Sequence, residues 1–311
     1  MNAEIDQLAL PRPAWFDRAL GIERREHSVQ VDGVDIHGFS WGDPSKPGVV
    51  LLHGMMAHAR CWAFVAPLLA KDYHLAALDF SGMGDSGWRD SYSLEQRADE
   101  ALGFANALGM RGPTLVCHSF GGSVGLTAVE RAPDAWSRII ICDMSMVRPE
   151  DLAQFNEMRS GRPGSAMGAP QRRGHRIYAD LPSALQRFRL APDQPCENDY
   201  LVEYMGRHSL KPTTGGWVWK FDPGIIGAAH LNEDSFWLNL APRFAAIKQP
   251  KAMIYGEQSA LFGDPVAKYL GELCADNTPI VEIPTAHHHL MLDQPQALTA
   301  TLATLLQTLH P

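Results

Sequence analysis

The sequence lacks a long apolar run: no stretch approaches the ~18 consecutive apolar residues that a membrane-spanning helix needs. The segment from Met1 to Leu10 has neither the basic start nor the apolar centre of a secretory signal. Cysteine is scarce, with five residues whose spacing shows no paired or zinc-ligand pattern. We therefore expect a cytoplasmic protein with reduced thiols and no membrane association.

Excess positive charge is also absent. The chain has 27 Lys and Arg residues against 35 Asp and Glu residues, a formal net charge of −8. This balance argues against the basic surface that binds nucleic acid or anionic lipid. The segment Ser81-Gly82-Met83-Gly84 lacks the lysine of a P-loop and the third glycine of a dinucleotide loop. We expect no nucleic-acid partner and no nucleotide cofactor.

The histidine run His287-His288-His289 is a weak metal signal. Successive side chains of an extended segment point in opposite directions, so three consecutive residues cannot all face one ion. No Cys/His spacing elsewhere resembles a zinc site. We therefore expect no metal and no other cofactor.

The apolar content is ample for one large core: 45% of the 311 residues are hydrophobic and 20% are charged. Several short apolar runs are continuous rather than alternating, which predicts strands buried on both faces, as in a parallel sheet covered by helices. These predicted strands are 48–53, 74–79, 113–118, 138–143, 251–256 and 279–284. Predicted helices lie between them, at 60–70, 94–109, 121–132, 265–275 and 295–308. The alternation indicates a doubly wound α/β sheet.

One segment precedes the alternating strands and helices, and another interrupts them. Near the N-terminus, Asp32-Gly33 between short β-prone runs predicts an antiparallel hairpin, preceded by an arm that Trp15 and Phe16 dock onto the body. Residues 147–245 are rich in proline and aromatic residues and interrupt the α/β rhythm. We interpret 147–245 as a helical cap inserted into a core made of 1–146 and 246–311.

The segment Cys117-His118-Ser119-Phe120-Gly121 is the strongest functional signal. It joins a predicted strand to a predicted helix, so Ser119 lies on the sharp turn that exposes a nucleophilic hydroxyl. The pattern typical of such a nucleophile elbow is Gly-x-Ser-x-Gly, and here Cys117 occupies the first small position. The alternative interpretation is a plain helix N-cap.

Three further segments occur in the order of a known family. His53-Gly54 ends a strand, Asp79-Phe80-Ser81-Gly82-Met83-Gly84-Asp85-Ser86 follows the next strand, and Ala286-His287-His288 precedes the apolar Leu290-Met291-Leu292. Together with the serine elbow they resemble the α/β-hydrolase fold superfamily, in its serine hydrolase branch. The resemblance implies a mostly parallel eight-stranded sheet flanked by helices, with an inserted helical cap.

The resemblance also implies a Ser-His-acid triad. Ser119 would be the nucleophile, activated by a histidine whose pKa lies near neutrality. Counting back from Leu290-Met291-Leu292 favours His288 as this base, with His287 as the alternative. The position where the family most often has its aspartate holds Ser259. Asp143, at the end of an earlier strand, is therefore the favoured acid. The alternatives to it are Glu257 and Asp264.

Other site residues follow from position within the resemblance. The backbone N–H groups of Met55 and Phe120 would form the oxyanion hole. His53, Asp79 and Ser86 would brace the loops around it.

The predicted substrate is an apolar small molecule, since Met and aromatic residues cluster near the site. Its predicted contacts are Trp62, Met144, Trp217 and Trp219. The sequence thus indicates a serine hydrolase that cleaves a carboxylic ester or lactone through an acyl-enzyme. One alternative is a C–C bond hydrolase of the meta-cleavage type. Another is a non-catalytic ligand-binding or sensing protein on the same fold.

Overall fold

The structure is a computed structural model that describes residues 3–160, 176–225, 233–274 and 277–310. Parts of the predicted cap, 161–175 and 226–232, lie outside the described residues. One large sheet contains eight strands, which are β1 Arg25–Val31, β2 Val34–Trp41, β3 Gly48–Leu52, β4 His74–Leu78, β5 Thr114–His118, β6 Arg138–Cys142, β9 Lys251–Gly256 and β10 Ile280–Ile283. Their order in the sheet is β1-β2-β4-β3-β5-β6-β9-β10.

The sheet is mostly parallel. Only β2 pairs antiparallel with its neighbours β1 and β4, whereas β4, β3, β5, β6, β9 and β10 run parallel to one another. The six strands predicted from continuous apolar runs all form within two residues of their predicted ends. Because alternate side chains of a strand face opposite sides, Val50 and Leu52 of β3 face one core layer while Val49 and Leu51 face the other. The predicted α/β fold with a mostly parallel eight-stranded sheet is confirmed.

Helices cover both faces of this sheet. The described helices are α1 Ala3–Asp6, α2 Ala14–Leu20, α3 Ala66–Leu69, α4 Leu94–Ala107, α5 Phe120–Arg131, α6 Leu152–Ser160, α7 Leu181–Leu185, α8 Asp199–His208, α9 Asp234–Ala246, α10 Asp264–Leu273, α11 Leu290–Asp293 and α12 Pro295–Thr308. Helices α4, α5, α9 and α10 contribute to one core layer, and α2, α3, α8 and α12 contribute to the other. The start of α4 is fixed by a capping box, in which Ser93 and Gln96 exchange side-chain to backbone hydrogen bonds of 3.1 and 2.9 Å.

The N-terminal region forms the predicted hairpin and arm. Asp32 (φ 48°) and Gly33 (φ 77°) occupy the two turn positions, and both have the positive φ that a two-residue hairpin of this twist requires. In the arm, the Phe16 ring is fully buried and packs edge-on against Tyr200 and Tyr204 of α8. Aromatic packing thus docks the arm onto the segment that follows β6.

The segment between β6 and β9 is not wholly helical, which corrects one prediction. Besides α6 to α9 it contains an antiparallel pair, β7 Leu210–Thr213 and β8 Gly216–Trp219. The two-residue turn between them, with Gly215 at its second position, is a hairpin signal of the sequence that the helical interpretation overlooked. The Asp222 amide donates to the Gly82 carbonyl (2.8 Å), which attaches the end of this segment to the core.

Two sequence-level expectations concern the chain as a whole. Within the described ranges, no helix combines the length and apolarity needed to cross a bilayer. All five cysteines are described, and none forms a disulfide.

Candidate active site

Ser119 lies between the last residue of β5 and the first residue of α5. Its backbone has φ 54° and ψ −121°, a conformation that a residue with a side chain rarely adopts. The Ser119 amide donates to the Cys142 carbonyl at 3.0 Å, which ties the turn to the end of β6. This strained strand-to-helix turn is the geometry of a nucleophile elbow.

Small residues around the elbow allow its close packing. A Cβ on Gly121 would lie 2.8 Å from the His53 carbonyl oxygen, so only glycine fits there without a shift. At the other flanking position, the buried Cys117 side chain points at Gly125 of α5, where an added Cβ would lie 2.5 Å from Cys117 Sγ. Gly125 therefore provides the space that lets cysteine stand where the usual motif has glycine.

The structure brings Ser119, His288 and Asp143 together in one hydrogen-bonded chain. His288 Nε2 lies 2.9 Å from Ser119 Oγ, and His288 Nδ1 lies 2.8 Å from Asp143 Oδ1. His288 and Asp143 are buried, whereas Ser119 is partly exposed. A carboxylate can only accept, so Nδ1 carries the ring proton and Nε2 is left to accept the serine proton.

The Asp143 carboxylate has two further donors. The Ser259 hydroxyl donates to Oδ1 at 2.7 Å, and the Gly256 amide donates to Oδ2 at 2.9 Å. Ser259 Oγ in turn accepts from the amides of Leu261 (3.1 Å) and Phe262 (3.3 Å), which fixes its orientation. The sequence marks Ser259 only as the lack of an acid. Its position in the loop after β9 is the signal that it would approach an acid at the end of β6.

The alternative acids and base point elsewhere. Glu257 is exposed and accepts from the Thr285 amide at 2.7 Å. Asp264 accepts from the Tyr255 hydroxyl at 3.2 Å. The His287 amide donates to Asp293 Oδ2 at 2.8 Å, and its Nδ1 lies 3.8 Å from the same oxygen.

Two more histidines surround His288. Burial, followed by the nearby charge of His288, lowers the pKa of His118 to about 3, and His118 Nε2 lies 3.0 Å from the His288 carbonyl oxygen. Burial, followed by the nearby charges of His288 and His118, also holds the pKa of His289 well below its usual range. Both rings are therefore neutral at pH 7, so they add no charge that would oppose an imidazolium at His288.

Ring nitrogens and carboxylates meet in two clusters that resemble metal sites. In the first, ligand atoms of His118, His288 and His289 lie within 4.8 Å of one another. Both nitrogens of His288 already belong to the chain with Ser119 and Asp143, so an ion there would have to break it.

The second cluster joins His37, Asp79 and Asp85. Both nitrogens of His37 are hydrogen-bonded, Nδ1 to Asp79 at 2.7 Å and Nε2 to Glu26 at 2.8 Å. Neither cluster thus presents a free set of ligands.

The two predicted oxyanion donors flank Ser119. Phe120 is the first residue of α5, and the first amides of a helix have no partner within it. Met55 follows Gly54, where an added Cβ would lie 3.3 Å from Ser119 Cβ. Both backbones therefore pass close to the serine, and their role as donors stays a prediction.

Buried hydrogen bonds brace the loop that carries Met55. His53 Nδ1 lies 2.7 Å from the Gly54 carbonyl oxygen, and its Nε2 accepts from the Phe80 amide at 3.1 Å. Asp79 accepts from the amides of Ala59 (2.6 Å) and Asp85 (2.9 Å). These contacts agree with the bracing role that the sequence predicts for His53 and Asp79.

A mainly apolar cavity of about 260 Å³ adjoins the elbow through His118 and Met55, while Ser119 and His288 are not among its lining residues. The core lines it with Met55, Met56, Ala57, Cys61, His118, His289, Met291 and Leu292. The segment after β6 lines it with Arg187, Phe188, Arg189, Leu190, Ala191, Met205, Ser209, Trp219 and Phe221. Of the predicted substrate contacts, Trp219 lies on this wall.

The three other predicted contacts are not among the residues that line this cavity. Trp62 is fully buried in the core layer of α2 and α3. Met144 lies beneath the elbow, with its sulfur 3.7 Å from Ser123 Oγ. Trp217 packs in a separate cluster with Leu181 and Leu210. Each is held by core packing, which periodicity alone cannot distinguish from a cavity wall.

Comparisons with known proteins agree with the fold. The model of a family described as alpha/beta hydrolase family matches residues 49–301. A serine hydrolase-like protein of Danio rerio is 23% identical over 300 residues, which cover 92% of this chain and 89% of that protein. The uncharacterized hydrolase YugF of Bacillus subtilis is 29% identical over 113 residues, which cover 36% of this chain and 41% of YugF.

Among solved structures, the chain resembles E-2-(acetamidomethylene)succinate hydrolase. The TM-score is 0.74 at 18% sequence identity, and the match covers 92% of this chain and 100% of that one. At this identity the likeness speaks for the fold alone.

Proposed function

Because the chain belongs to the alpha/beta hydrolase family, we propose that it is a serine hydrolase that cleaves a carboxylic ester or lactone of an apolar small molecule. The observation that carries this proposal is the hydrogen-bonded chain Ser119–His288–Asp143 on a strained elbow. A serine hydroxyl is a weak nucleophile until a base accepts its proton. Here His288 is the base, and Asp143 is the acid that orients it.

The proposed reaction has two steps. Ser119 Oγ attacks the substrate carbonyl carbon while His288 Nε2 takes the serine proton. The developing oxyanion accepts from the amides of Phe120 and Met55, and the intermediate collapses when His288 returns the proton to the leaving alcohol. Water then attacks the acyl-enzyme by the same route, with His288 again as base. Asp143 keeps its charge throughout and stabilises the imidazolium.

The cavity supports an apolar acyl or alcohol group. Its core wall carries Met55, Met56 and Met291, and its other wall carries Phe188 and Trp219. We propose that residues 147–245 act as the cap, since their described part closes one side of the cavity. At about 0.8 kcal/mol per buried CH₂, kcat/KM should rise about fourfold per added methylene until the acyl chain fills the cavity.

Fluorophosphonate labelling tests the chemistry. Wild-type protein should label at Ser119, while Ser119→Ala should not label and should lose nearly all turnover of p-nitrophenyl butyrate. His288→Ala should label far more slowly than wild type. Turnover of a vinylogous diketone without turnover of the ester would instead favour the C–C hydrolase, and a folded wild type that never labels would favour the binding protein.

A further inference from the structure

A second cavity lies beneath the N-terminal arm and shares no lining residue with the first. Its volume is about 230 Å³, and Arg24, Arg60, Tyr204 and His208 line it; we call it the arm cavity. Tyr204 and His208 are four residues apart in α8 and therefore share one helix face, whereas Met205, about 100° further round the helix, lines the first cavity. The arm cavity is therefore separate from the proposed catalytic site.

Two arginines on its wall lack an acidic partner. No described carboxylate lies within ion-pair distance of Arg24 or Arg60. Both guanidinium carbons instead lie 4.8 Å from the centre of the Phe39 ring. Burial, and then the charge of Arg60, lowers the pKa of Arg24. The charges of Glu26 and Asp6 raise this pKa, but by less than burial and Arg60 lower it.

Polar donors in the arm cavity are also left without acceptors. Tyr204 is 3% exposed, and its hydroxyl has no acceptor for its own proton among the described residues, although Arg60 is near enough to donate to it. The same holds for the buried Nε of Arg60. A buried donor without an acceptor is unfavourable, so these groups indicate that an acceptor belongs between them.

The remaining charges around the cavity do not supply that acceptor. Arg12 is paired with Asp17 at 2.6 Å. Asp6 lies at the mouth with its side chain 47% exposed, and its closest basic neighbour is His208 at 3.9 Å. Burial, followed by Arg60, holds the pKa of His208 well below its usual range, so His208 is neutral. The cavity thus keeps a net positive charge.

We propose that the arm cavity binds a small oxyanion, either phosphate or a carboxylate, between Arg24 and Arg60, with the Tyr204 hydroxyl as a third donor. Guanidinium groups match planar or tetrahedral oxyanions through paired N–H donors, and such charge-assisted bonds are the stronger ones in proteins. The bound anion would also lie against the arm, whose Ala9 and Leu10 amides donate to Glu203 of α8 at 2.9 and 3.0 Å.

Isothermal titration with inorganic phosphate, and separately with succinate, at constant ionic strength tests the proposal on the full chain. Wild type should give a saturable heat with at least one of them, and the stronger response identifies phosphate or carboxylate as the ligand chemistry. Arg60→Met and Arg24→Met should each weaken binding by at least about tenfold, as expected for loss of a charged hydrogen bond. The matched control is Arg111→Met, since Arg111 is exposed and lies outside the cavity.

Tyr204→Phe guards against variants that fail to fold, because it keeps both charges and the ring. It should weaken anion binding several-fold, and in anion-free buffer it should unfold at a higher temperature than wild type because a buried hydroxyl without an acceptor for its proton is gone. Absence of saturable heat from both anions with folded wild type would overturn the proposal, as would equal affinities of Arg60→Met and Arg111→Met. These outcomes are independent of labelling at Ser119.

Discussion

Replacing Asp143 by Asn is the most direct perturbation of the proposed triad. The Asp143 carboxylate accepts from the His288 ring, the Ser259 hydroxyl and the Gly256 amide. Asparagine has almost the same shape but only one accepting oxygen, and its other group donates. The Gly256 amide can only donate, so the asparagine oxygen stays on it and the NH₂ group turns towards His288.

This rearrangement reverses the tautomer of the histidine. His288 Nδ1 must then accept, its proton moves to Nε2, and Ser119 Oγ faces a donor instead of a base. The corresponding change in serine proteases lowers kcat about 10⁴-fold, which equals roughly 5.4 kcal/mol at about 1.36 kcal/mol per factor of ten. Ser259 stays in place because the Leu261 and Phe262 amides hold its oxygen, so the fold should be retained.

Hydrolysis of p-nitrophenyl butyrate measures the effect, and circular dichroism checks the fold. Glu257→Gln is the matched control, because Glu257 is an exposed carboxylate on the loop after β9 that accepts from the Thr285 amide. We expect the control to remain within about threefold of wild type. A loss below about tenfold in Asp143→Asn, with a severe loss in Glu257→Gln, would refute the assignment of the acid.

Two further predictions concern stability. Gly125→Ala would place a Cβ only 2.5 Å from Cys117 Sγ, so it should lower the free energy of unfolding by about 1–3 kcal/mol. Adding Cys117→Gly removes that sulfur and should restore part of the lost stability. Urea unfolding of the two single variants and the double variant measures the coupling between positions 117 and 125. Burial lowers the pKa of His53 to about 4 and that of His118 to about 3, so both are neutral in the fold and charged in the unfolded chain below about pH 6.5. Stability is therefore lost as pH falls, by roughly 2 kcal/mol for each ring between pH 7 and pH 5. Equal urea midpoints at the two pH values would contradict this.

The strands and the elbow could be predicted because their signals are local. A continuous apolar run such as Ile139 to Cys142 indicates a strand that is buried on both faces, because a strand with one face in solvent would alternate apolar and polar residues. Ser119 stands between such a run and a glycine-containing helix start, so its exposed turn follows from its neighbours in sequence. The predictions of His288 and Asp143 rest instead on the resemblance to the α/β-hydrolase fold, whose motifs place a base and an acid at these positions.

The cavity wall could not be predicted in the same way. The sequence does not distinguish Trp62, Trp217 and Trp219, yet of these three tryptophans Trp219 alone lines the cavity. Which apolar side chain faces a void depends on how the segment after β6 packs on the core, and that is decided by contacts between residues far apart in the chain. The arm cavity is a further example, since Arg24 and Arg60 meet only after folding.

The position of the acid follows from strand adjacency rather than from sequence distance. Strands β6 and β9 are parallel neighbours, so Asp143, directly after β6, and Ser259, three residues after β9, come together. The Ser259 hydroxyl donates to the Asp143 oxygen that contacts His288. Two carboxylates at these positions would lie close enough to raise the pKa of one of them, so only one position can hold the ionised acid. With the acid at Asp143, a hydroxyl at 259 is the complementary choice, because it donates to the carboxylate without adding charge. The serine that looked like a missing catalytic residue is thus the expected companion of an acid on the neighbouring strand.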